Sequence, residues 1–332
     1  MKVSILIPFY NVSSFIERAL LSVLDQTYSE IECVLVDDGS TDDSYLKVLS
    51  IINTHPQGNL IHLFRHEKNQ GIATTRNTCI AKATGDYIFF LDSDDELPNR
   101  AIEGLVLVAK AKNVDLVIGD FEITNGNRSN FPSIHHLSAE STYHASEVFN
   151  SFLELKVTDM PCMKLVRRKV LMDSGISFYP GIVHEDTLWV FSLMLNLQSM
   201  AVSDSICYVY HFRQGSITQE KSDRNFVSLL IVMQRILRIA MDGKLFDSYP
   251  LLMPYLNNLR YYMLKEMVRI KLGKAYIEEK FQEINRIFSV VDRKPHQVFS
   301  LSDFLRKSFF SLPFEVSIFF MKMVLLLKHK SL

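Results

Sequence analysis

The stretch Ile88-Phe89-Phe90-Leu91-Asp92-Ser93-Asp94-Asp95 joins an apolar run to a run of acids. Its first half predicts a buried strand, because a parallel strand covered on both faces shows a continuous hydrophobic run. Its second half brings three carboxylates together, and their mutual repulsion favours a divalent cation as a partner. The alternative is that Asp94 or Asp95 only caps a helix opened by Pro98. Capping leaves the other two carboxylates without an explanation.

Similar units lie on both sides of this stretch. Short apolar or β-branched runs that predict further strands occur at residues 3–7, 33–36, 61–64 and 114–118. Segments with apolar residues at helical spacing separate them. This alternation predicts an α/β fold with a mainly parallel central sheet covered by helices.

Polar clusters follow three of the predicted strands, at Pro8–Asn11, Asp37–Ser40 and Asp92–Asp95. Ligands of open α/β sheets bind at the carboxyl ends of the strands, so we expect these clusters to share one crevice. No GxGxxG follows the first strand, and no GxxxxGK[ST] occurs in the chain. The sequence therefore supports neither a dinucleotide-binding dehydrogenase nor a P-loop enzyme.

Composition narrows the class of protein. The 332 residues are 48% hydrophobic with a net charge of -1, which argues against nucleic acid as the main partner. The four cysteines are far apart and form no CxxC pair, so neither a zinc site nor a disulfide framework is expected. The apolar run at residues 3–7 is too short for a signal peptide. We therefore expect a cytoplasmic protein.

The sequence pattern changes near residue 220. Residues 224–272 carry apolar residues at helical spacing, and no further strand is predicted. This indicates a domain at residues 1–220 and a helical C-terminal region at 221–332. Residues 308–330 are rich in aromatic and aliphatic side chains flanked by Lys and Arg, yet fall short of a membrane span. They suit a peripheral contact at the inner face of the cell membrane; a packed C-terminal helix or a dimer contact is the alternative.

Five ordered motifs carry a resemblance to a known family. They are SILIPFYN at residues 4–11, VDDGSTD at 36–42, GIATTRN at 71–77, GDYI at 85–88 and LDSDD at 91–95. Together they resemble family 2 glycosyltransferases of the GT-A fold over roughly residues 1–120, and HED at 184–186 with YHFR at 210–213 resembles the later part of that domain. The resemblance implies an inverting transfer of a sugar from a UDP-sugar to a glycan or lipid-linked acceptor in cell-surface polysaccharide assembly.

The resemblance also implies which residues hold the nucleotide-sugar. They are Pro8, Tyr10, Asp38, Arg76, Asp92 and Ser93. In the family the residue at the position of Asp38 contacts uracil, and a carboxylate is a suitable acceptor for the N–H of that base. For Arg76, a surface salt bridge is the alternative role.

A divalent cation, Mn²⁺ or Mg²⁺, is implied by the Asp-x-Asp motif. The ligands implied are Asp92, Asp94, Asp95 and His211. Such a cation offsets the charge on the departing UDP. Many family members carry Arg at the position of His211.

The residue that matches the family's catalytic base is Asp186. Inverting transfer needs a carboxylate that takes the proton of the acceptor hydroxyl as its oxygen attacks the anomeric carbon. Glu185 is the competing residue, because the two lie side by side. Both acids also suit the first turn of the helix predicted from Leu188, so capping is the alternative role.

Two other classes of function stay open at this point. The first is a non-catalytic sugar-nucleotide or glycan-binding module on the same fold, which the joint presence of Asp92, Asp94 and Asp186 argues against. The second is a membrane-associated scaffold built on residues 221–332. The donor sugar and the acceptor are set by variable loops such as residues 121–160.

Overall fold

The computed structural model describes residues 1–124, 136–212, 222–291 and 301–329. Its strands are β1 (Val3–Phe9), β2 (Ile31–Asp37), β3 (Ile61–Arg65), β4 (Tyr87–Phe90), β5 (Leu116–Thr124), β6 (Thr142–His144), β7 (Lys164–Arg167) and β8 (Ser199–His211). Its helices are α1 (Ile16–Leu24), α2 (Ser44–Thr54), α3 (Ile72–Lys82), α4 (Ala101–Lys112), α5 (Ser146–Leu153), α6 (Arg168–Ser174), α7 (Glu185–Asn196), α8 (Asp223–Asp242), α9 (Leu245–Ser248), α10 (Leu252–Arg269), α11 (Lys274–Phe288), α12 (Leu301–Ser311) and α13 (Phe314–His329).

The described strands form one sheet in the order β3-β2-β1-β4-β7-β5-β8-β6. The pairs β3–β2, β2–β1, β1–β4 and β5–β8 are parallel. Strand β7 enters antiparallel between β4 and β5, and β6 pairs antiparallel with β8. Every residue of β1, β2 and β4 is buried, as expected of strands covered on both faces. The predicted α/β fold with a mainly parallel sheet is confirmed.

The predicted start of the helix after the acidic run is wrong. Helix α4 begins at Ala101, with Arg100 before it, and neither Asp94 nor Asp95 caps it. Pro98 lies one turn earlier, where its carbonyl accepts the N–H of Ala101 at 2.9 Å. The acidic run instead forms a turn in which the N–H of Asp95 bonds the carbonyl of Asp92 at 3.1 Å. The capping interpretation of these acids therefore fails.

The chain divides into two compact units, Met1–Gln219 and Glu220–Leu332. The first holds the sheet, and the second contains helices α8–α13. Residues 213–221, which include the predicted boundary and Arg213, lie outside the described residues. All four cysteines are buried free thiols of the first unit.

In the second unit, the C-terminal segment has one packed part and one exposed part. Phe309, Phe310 and Phe314 pack around Phe281. Farther along α13, apolar side chains are exposed to solvent; they are Phe319 (61%), Phe320 (51%), Met323 (43%) and Val324 (40%). Within the described ranges, no helix is both long enough and apolar enough to cross a membrane.

Candidate active site

The three predicted polar clusters lie side by side at one edge of the sheet. Strands β2, β1 and β4 are neighbours, and backbone bonds tie their carboxyl ends together. The N–H of Asp38 donates to Phe9 O at 2.9 Å, and the N–H of Leu91 donates to Leu6 O at 3.0 Å. The N–H of Asn11 donates to Ser40 Oγ at 3.0 Å. The three clusters therefore lie together at the carboxyl ends of neighbouring strands, as the strand pattern predicts.

Asp38 is buried and bonded to the loop that precedes α3. Its Oδ1 lies 2.7 Å from His66 Nδ1 and accepts the N–H of Gln70 at 2.9 Å. Its Oδ2 accepts the N–H of Gly71 at 2.8 Å. His66 in turn places its Nε2 3.0 Å from Thr78 Oγ1. Asp38 therefore orders the turn that starts α3, the helix that carries Arg76.

The other predicted nucleotide residues take different environments. Pro8 is buried within β1, where it pairs in register with Val36. Tyr10, one residue beyond the strand, is 42% exposed, which leaves its ring accessible to a ligand. Ser93 is buried in the acidic turn.

Arg76 connects two acids that are distant in sequence. Its guanidinium is buried, with Nη1 2.8 Å from Glu185 Oε1 and Nη2 3.1 Å from Asp92 Oδ1. It also lies over the ring of Phe178, 5.3 Å from the centroid. The two carboxylates hold the pKa of Arg76 above its already high ordinary value, despite the opposing effect of burial. The predicted alternative, a surface salt bridge, is wrong, because this cation is inside the protein.

An aromatic cluster lies beneath Arg76 and was not predicted. Phe178 stacks on Trp189 with centroids 4.6 Å apart, and Phe90 meets both rings edge-on. Phe90 belongs to β4 and Trp189 to α7, so the cluster fixes the helix that carries Glu185 and Asp186 against the strand that carries the acidic turn. Aromatic residues this far apart in sequence give no local signal.

The acidic turn is held by side chains from other strands. Asp95 is buried, with Oδ2 accepting the hydroxyl of Tyr208 at 2.6 Å and Oδ1 accepting the N–H of His211 at 2.8 Å. The N–H of Asp92 donates to the same Tyr208 hydroxyl at 3.2 Å, and the thiol of Cys162 lies 3.4 Å from Asp92 Oδ2. Asp94 is partly exposed, and its carbonyl accepts a bond from Arg18.

The repulsion expected among these acids is visible in their electrostatics. Burial, followed by the charge on Asp92, raises the pKa of Asp95 to about 8. The bonds from Tyr208 and His211 oppose this shift, and the charge on Asp94 adds to it. A positive charge at this turn would relieve the repulsion.

His211 lies next to the acidic turn, because its backbone N–H bonds Asp95. Its Nδ1 lies 2.8 Å from Thr124 Oγ1. Its Nε2 is buried and makes no hydrogen bond to the residues that the structure describes; it is 3.5 Å from Glu96 Oε2, an ion-pair distance without hydrogen-bond geometry. Arg18 approaches the same Glu96 carboxylate at 3.5 Å. Glu96 thus lies beside the acidic turn and His211, and the sequence did not predict it as a site residue.

A divalent cation is the partner expected for the acidic turn and His211. Within residues 1–124, 136–212, 222–291 and 301–329, no three His, Cys, Asp or Glu side chains come together in an arrangement that could hold a metal. The donor types do fit, because carboxylate and imidazole are ligands of Mg²⁺ and Mn²⁺, and the buried Nε2 of His211 has no hydrogen-bond partner within the described ranges. Asp92 and Asp95 are already engaged by Arg76, Tyr208 and the backbone of His211.

Glu185 and Asp186 open α7 and have different partners. Glu185 is buried against Arg76, and its pKa is raised by burial while Arg76 opposes the shift. Asp186 is partly exposed, and its Oδ1 accepts the N–H of Thr187 at 2.8 Å. The surrounding protein and the charges of Asp159 and Glu185 raise the pKa of Asp186. His184 precedes the helix, and both acids lie in its first turn, where the helix dipole favours negative charge as the alternative role requires.

Comparison with known proteins identifies a family. Residues 4–175 match the family model described as glycosyl transferase family 2. A relative from Escherichia coli, UDP-Glc:alpha-D-GlcNAc-diphosphoundecaprenol beta-1,3-glucosyltransferase WfgD, is 31% identical over 220 residues, which are 66% of this chain and 80% of that protein. The poly(ribitol-phosphate) beta-N-acetylglucosaminyltransferase TarP of Staphylococcus aureus is 26% identical over 305 residues, 89% of each chain. A third relative, an uncharacterised E. coli glycosyltransferase, is matched over 63% of its own length.

A solved structure shares the fold. It is that of residues 1–349 of S. aureus TarS in complex with UDP-GlcNAc, with a TM-score of 0.71 and 21% identity. The match covers 88% of this chain and 82% of that chain. At this level of identity the likeness concerns the fold.

Proposed function

We propose that this chain, which belongs to glycosyl transferase family 2, is an inverting enzyme that moves one sugar from a UDP-sugar to a glycan or lipid-linked acceptor. The names of its relatives support the substrate classes. WfgD is named for a UDP-glucose donor and a diphosphoundecaprenol acceptor, TarP for a polymeric acceptor, and the TarS complex contains UDP-GlcNAc. Such acceptors belong to cell-surface polysaccharide assembly.

The observation that carries the proposal is the double pairing of Arg76. One buried guanidinium binds Asp92 of the Asp-x-Asp motif and Glu185, the neighbour of Asp186. The residues proposed for the donor and the residue proposed as the base are thereby fixed relative to each other. Fixed geometry of this kind is what a transfer between two bound substrates requires.

Asp186 is the base in this proposal. The acceptor hydroxyl oxygen forms a bond to the anomeric carbon, the bond from that carbon to the UDP oxygen breaks, and the hydroxyl proton passes to Asp186. Glu185 is less suited to this role, because it is buried and paired with Arg76. A raised pKa makes the ionised form of Asp186 a stronger base.

Asp94 and His211 are the residues that we propose to hold a divalent cation, with Asp92 and Asp95 in the surrounding shell. A cation bound there supplies positive charge against the diphosphate leaving group. The raised pKa of Asp95 supports this placement, since a cation would offset the repulsion among the acids. The buried Nε2 of His211 supports it as well, since a cation would give this nitrogen a partner. The residues proposed to receive the nucleotide remain Pro8, Tyr10, Asp38, Arg76, Asp92 and Ser93.

The experiment that tests the function is a screen of UDP-sugars with Mn²⁺ or Mg²⁺, scored by release of UDP. We expect release from at least one UDP-sugar, faster with a lipid-diphosphate-linked glycan acceptor present. Competition by ADP tests recognition of the nucleobase: if Asp38 contacts uracil, ADP binds the unaltered protein far more weakly than UDP. Failure of every UDP-sugar to react or bind would reject the proposal.

We assign the catalytic work to residues 1–220 and propose that residues 221–332 place the enzyme at the cytoplasmic face of the membrane. The exposed Phe319, Phe320, Met323 and Val324 of α13 support this, with Lys322 among them. Apolar side chains beside cations suit an anionic interface. The packed Phe309, Phe310 and Phe314 belong to the interior of this unit and take no part in the contact.

A further inference from the structure

Thr187 bonds two carboxylates from different parts of the chain, those of Asp186 and Asp159. Its N–H donates to Asp186 Oδ1 at 2.8 Å, and its hydroxyl donates to Asp159 Oδ2 at 2.7 Å. One residue at the start of α7 therefore holds both acids. Asp159 is exposed, and nothing in its local sequence distinguishes it from a loop residue.

A buried lysine holds the loop that carries Asp159. Lys164, the first residue of β7, has no exposed surface. Its Nζ donates to Thr158 Oγ1 at 3.1 Å and to Met160 O at 2.6 Å. Thr158 and Met160 lie on either side of Asp159, so the ammonium group of Lys164 fixes the chain at the position of Asp159. A buried ammonium is unfavourable unless it is bonded in this way.

We propose that Asp159 is a positioning residue of the active site: held by Lys164 and Thr187, it keeps a second negative charge beside Asp186 and so makes that carboxylate a stronger base. The inference rests on the proposed function for its role in sugar transfer. A like charge nearby disfavours ionisation, so a carboxylate beside another carboxylate holds a proton more tightly.

The charged groups around Asp186 come from four elements. Asp159, on the loop before β7, and Glu185, on α7, both raise its pKa. Arg76, on α3, lowers it. Lys164, on β7, also interacts electrostatically with both Asp186 and Asp159. Asp159 and Lys164 therefore act on Asp186 in opposite directions.

The balance has a consequence for transfer. A base accelerates proton removal most when its pKa is near the working pH. Without Asp159, Asp186 would ionise more readily but attract the acceptor proton less strongly. Without Lys164, Asp186 would stay protonated over more of the physiological range.

The experiment measures the ionisation of Asp186 in the full chain, free of substrate. Aspartate labelled with ¹³C at the carboxyl carbon is followed by NMR as the pH is changed, and the signal of Asp186 is the one missing from Asp186→Asn. In Asp159→Asn we expect its midpoint to fall by about one pH unit. In Lys164→Met we expect the midpoint to rise, and in Thr187→Val to fall by less than in Asp159→Asn.

Two control variants separate tuning from structure. Asp159→Glu retains the charge and should keep the midpoint close to that of the parent. Asp173→Asn removes an exposed carboxylate on α6 that pairs with Lys169, and it should leave the midpoint unchanged. If Lys164→Met does not fold, the exposed Asp159→Asn and the small change in Thr187→Val decide the outcome.

An Asp186 midpoint in folded Asp159→Asn equal to that of the parent overturns the inference. Because this titration needs no substrate, a protein that shows the shift but transfers no sugar would refute the proposed function alone. In an active enzyme, the acid limb of the kcat profile of Asp159→Asn should move to lower pH in step with the midpoint. A limb that stays in place while transfer proceeds would also overturn the inference.

Discussion

Arg76 and Glu185 form a buried ion pair, with Nη1 and Oε1 2.8 Å apart, between the helix after the third strand and the helix that carries the proposed base. This pairing gives the adjacent acids Glu185 and Asp186 different environments. Glu185 faces a permanent cation, whereas Asp186 bonds the backbone of Thr187 and retains surface exposure. Replacing Glu185 and replacing Asp186 should therefore have different effects.

Replacing Arg76 with Met should destabilise the fold and abolish transfer. The change leaves Glu185 and Asp92 without their shared cation, and breaking a buried pair costs about 3–5 kcal/mol. Urea unfolding measures the loss. The double variant Arg76→Met, Glu185→Gln removes one of the stranded charges and should recover part of the stability without recovering activity. An unfolding midpoint in Arg76→Met equal to that of the parent would contradict the buried pairing.

Replacing Asp186 with Asn should separate chemistry from stability. The Asn side-chain oxygen can still accept the N–H of Thr187, so the melting temperature and UDP affinity should stay close to those of the parent. The transfer rate should fall by about 10²–10⁴, the usual contribution of a general base. Glu185→Gln is the comparison, and we expect it to affect stability through Arg76. A parent-like rate in Asp186→Asn would remove this residue from the mechanism.

The transfer rate should depend on pH through Asp186. A base acts only when deprotonated, and its surroundings raise the pKa of Asp186 to about 8. Log kcat should therefore rise as pH increases from 6 toward 8 and level off above that. A stopped assay over this range, with protein stability checked at each pH, measures the profile. A rate that is constant from pH 6 to pH 8 would argue against an elevated pKa for the base.

Donor binding should depend on a divalent cation. Titration calorimetry of UDP should show far weaker binding in EDTA than in Mn²⁺, because the acidic turn otherwise repels the diphosphate. Asp94→Ala should weaken binding in Mn²⁺ and reduce the difference between the two conditions. Asp173→Ala, an exposed acid on α6, serves as the matched control. Equal UDP affinity with and without Mn²⁺ would reject the cation site.

Membrane association should depend on the exposed face of α13. The full chain should co-sediment with anionic liposomes at low salt, and less so as salt rises, since screening weakens attraction between Lys or Arg and lipid headgroups. The double variant Phe319→Ser, Phe320→Ser should bind less. Leu107→Ser, at a side chain 60% exposed on α4, is the control for loss of an apolar surface group. Absence of the full chain from the pellet at low salt would refute the membrane contact.

The first half of the sheet was predictable because its strands have a clear sequence signal. β1, β2 and β4 are buried on both faces and read as unbroken apolar runs, and polar turns follow them. β7 gave no comparable signal. It has four residues and begins with a lysine, whose burial depends on oxygen atoms of Thr158 and Met160 that only the folded chain brings near.

The candidate site was predictable in its residue types and less so in its pairings. The resemblance favoured Asp186 as the base and left Glu185 as the competing residue, because the partner that distinguishes them, Arg76, is 109 residues from Glu185. The support of Asp95 by Tyr208 and the bonds of Asp38 to His66 were missed for the same reason. Which side chains pair depends on the tertiary structure, whereas the spacing of a motif reports only on residues that are close in sequence.

Strand β7 also affects how the chain reaches this fold during synthesis. β1–β4 leave the ribosome first and can pair among themselves, but the free side of Tyr87–Phe90 gains its antiparallel neighbour only when Lys164–Arg167 emerges. Until then β4 offers an apolar edge with unpaired backbone groups, which favours association between nascent chains. Shortened proteins that end between these two segments should therefore accumulate as aggregates, and soluble expression should begin with fragments that extend beyond residue 167.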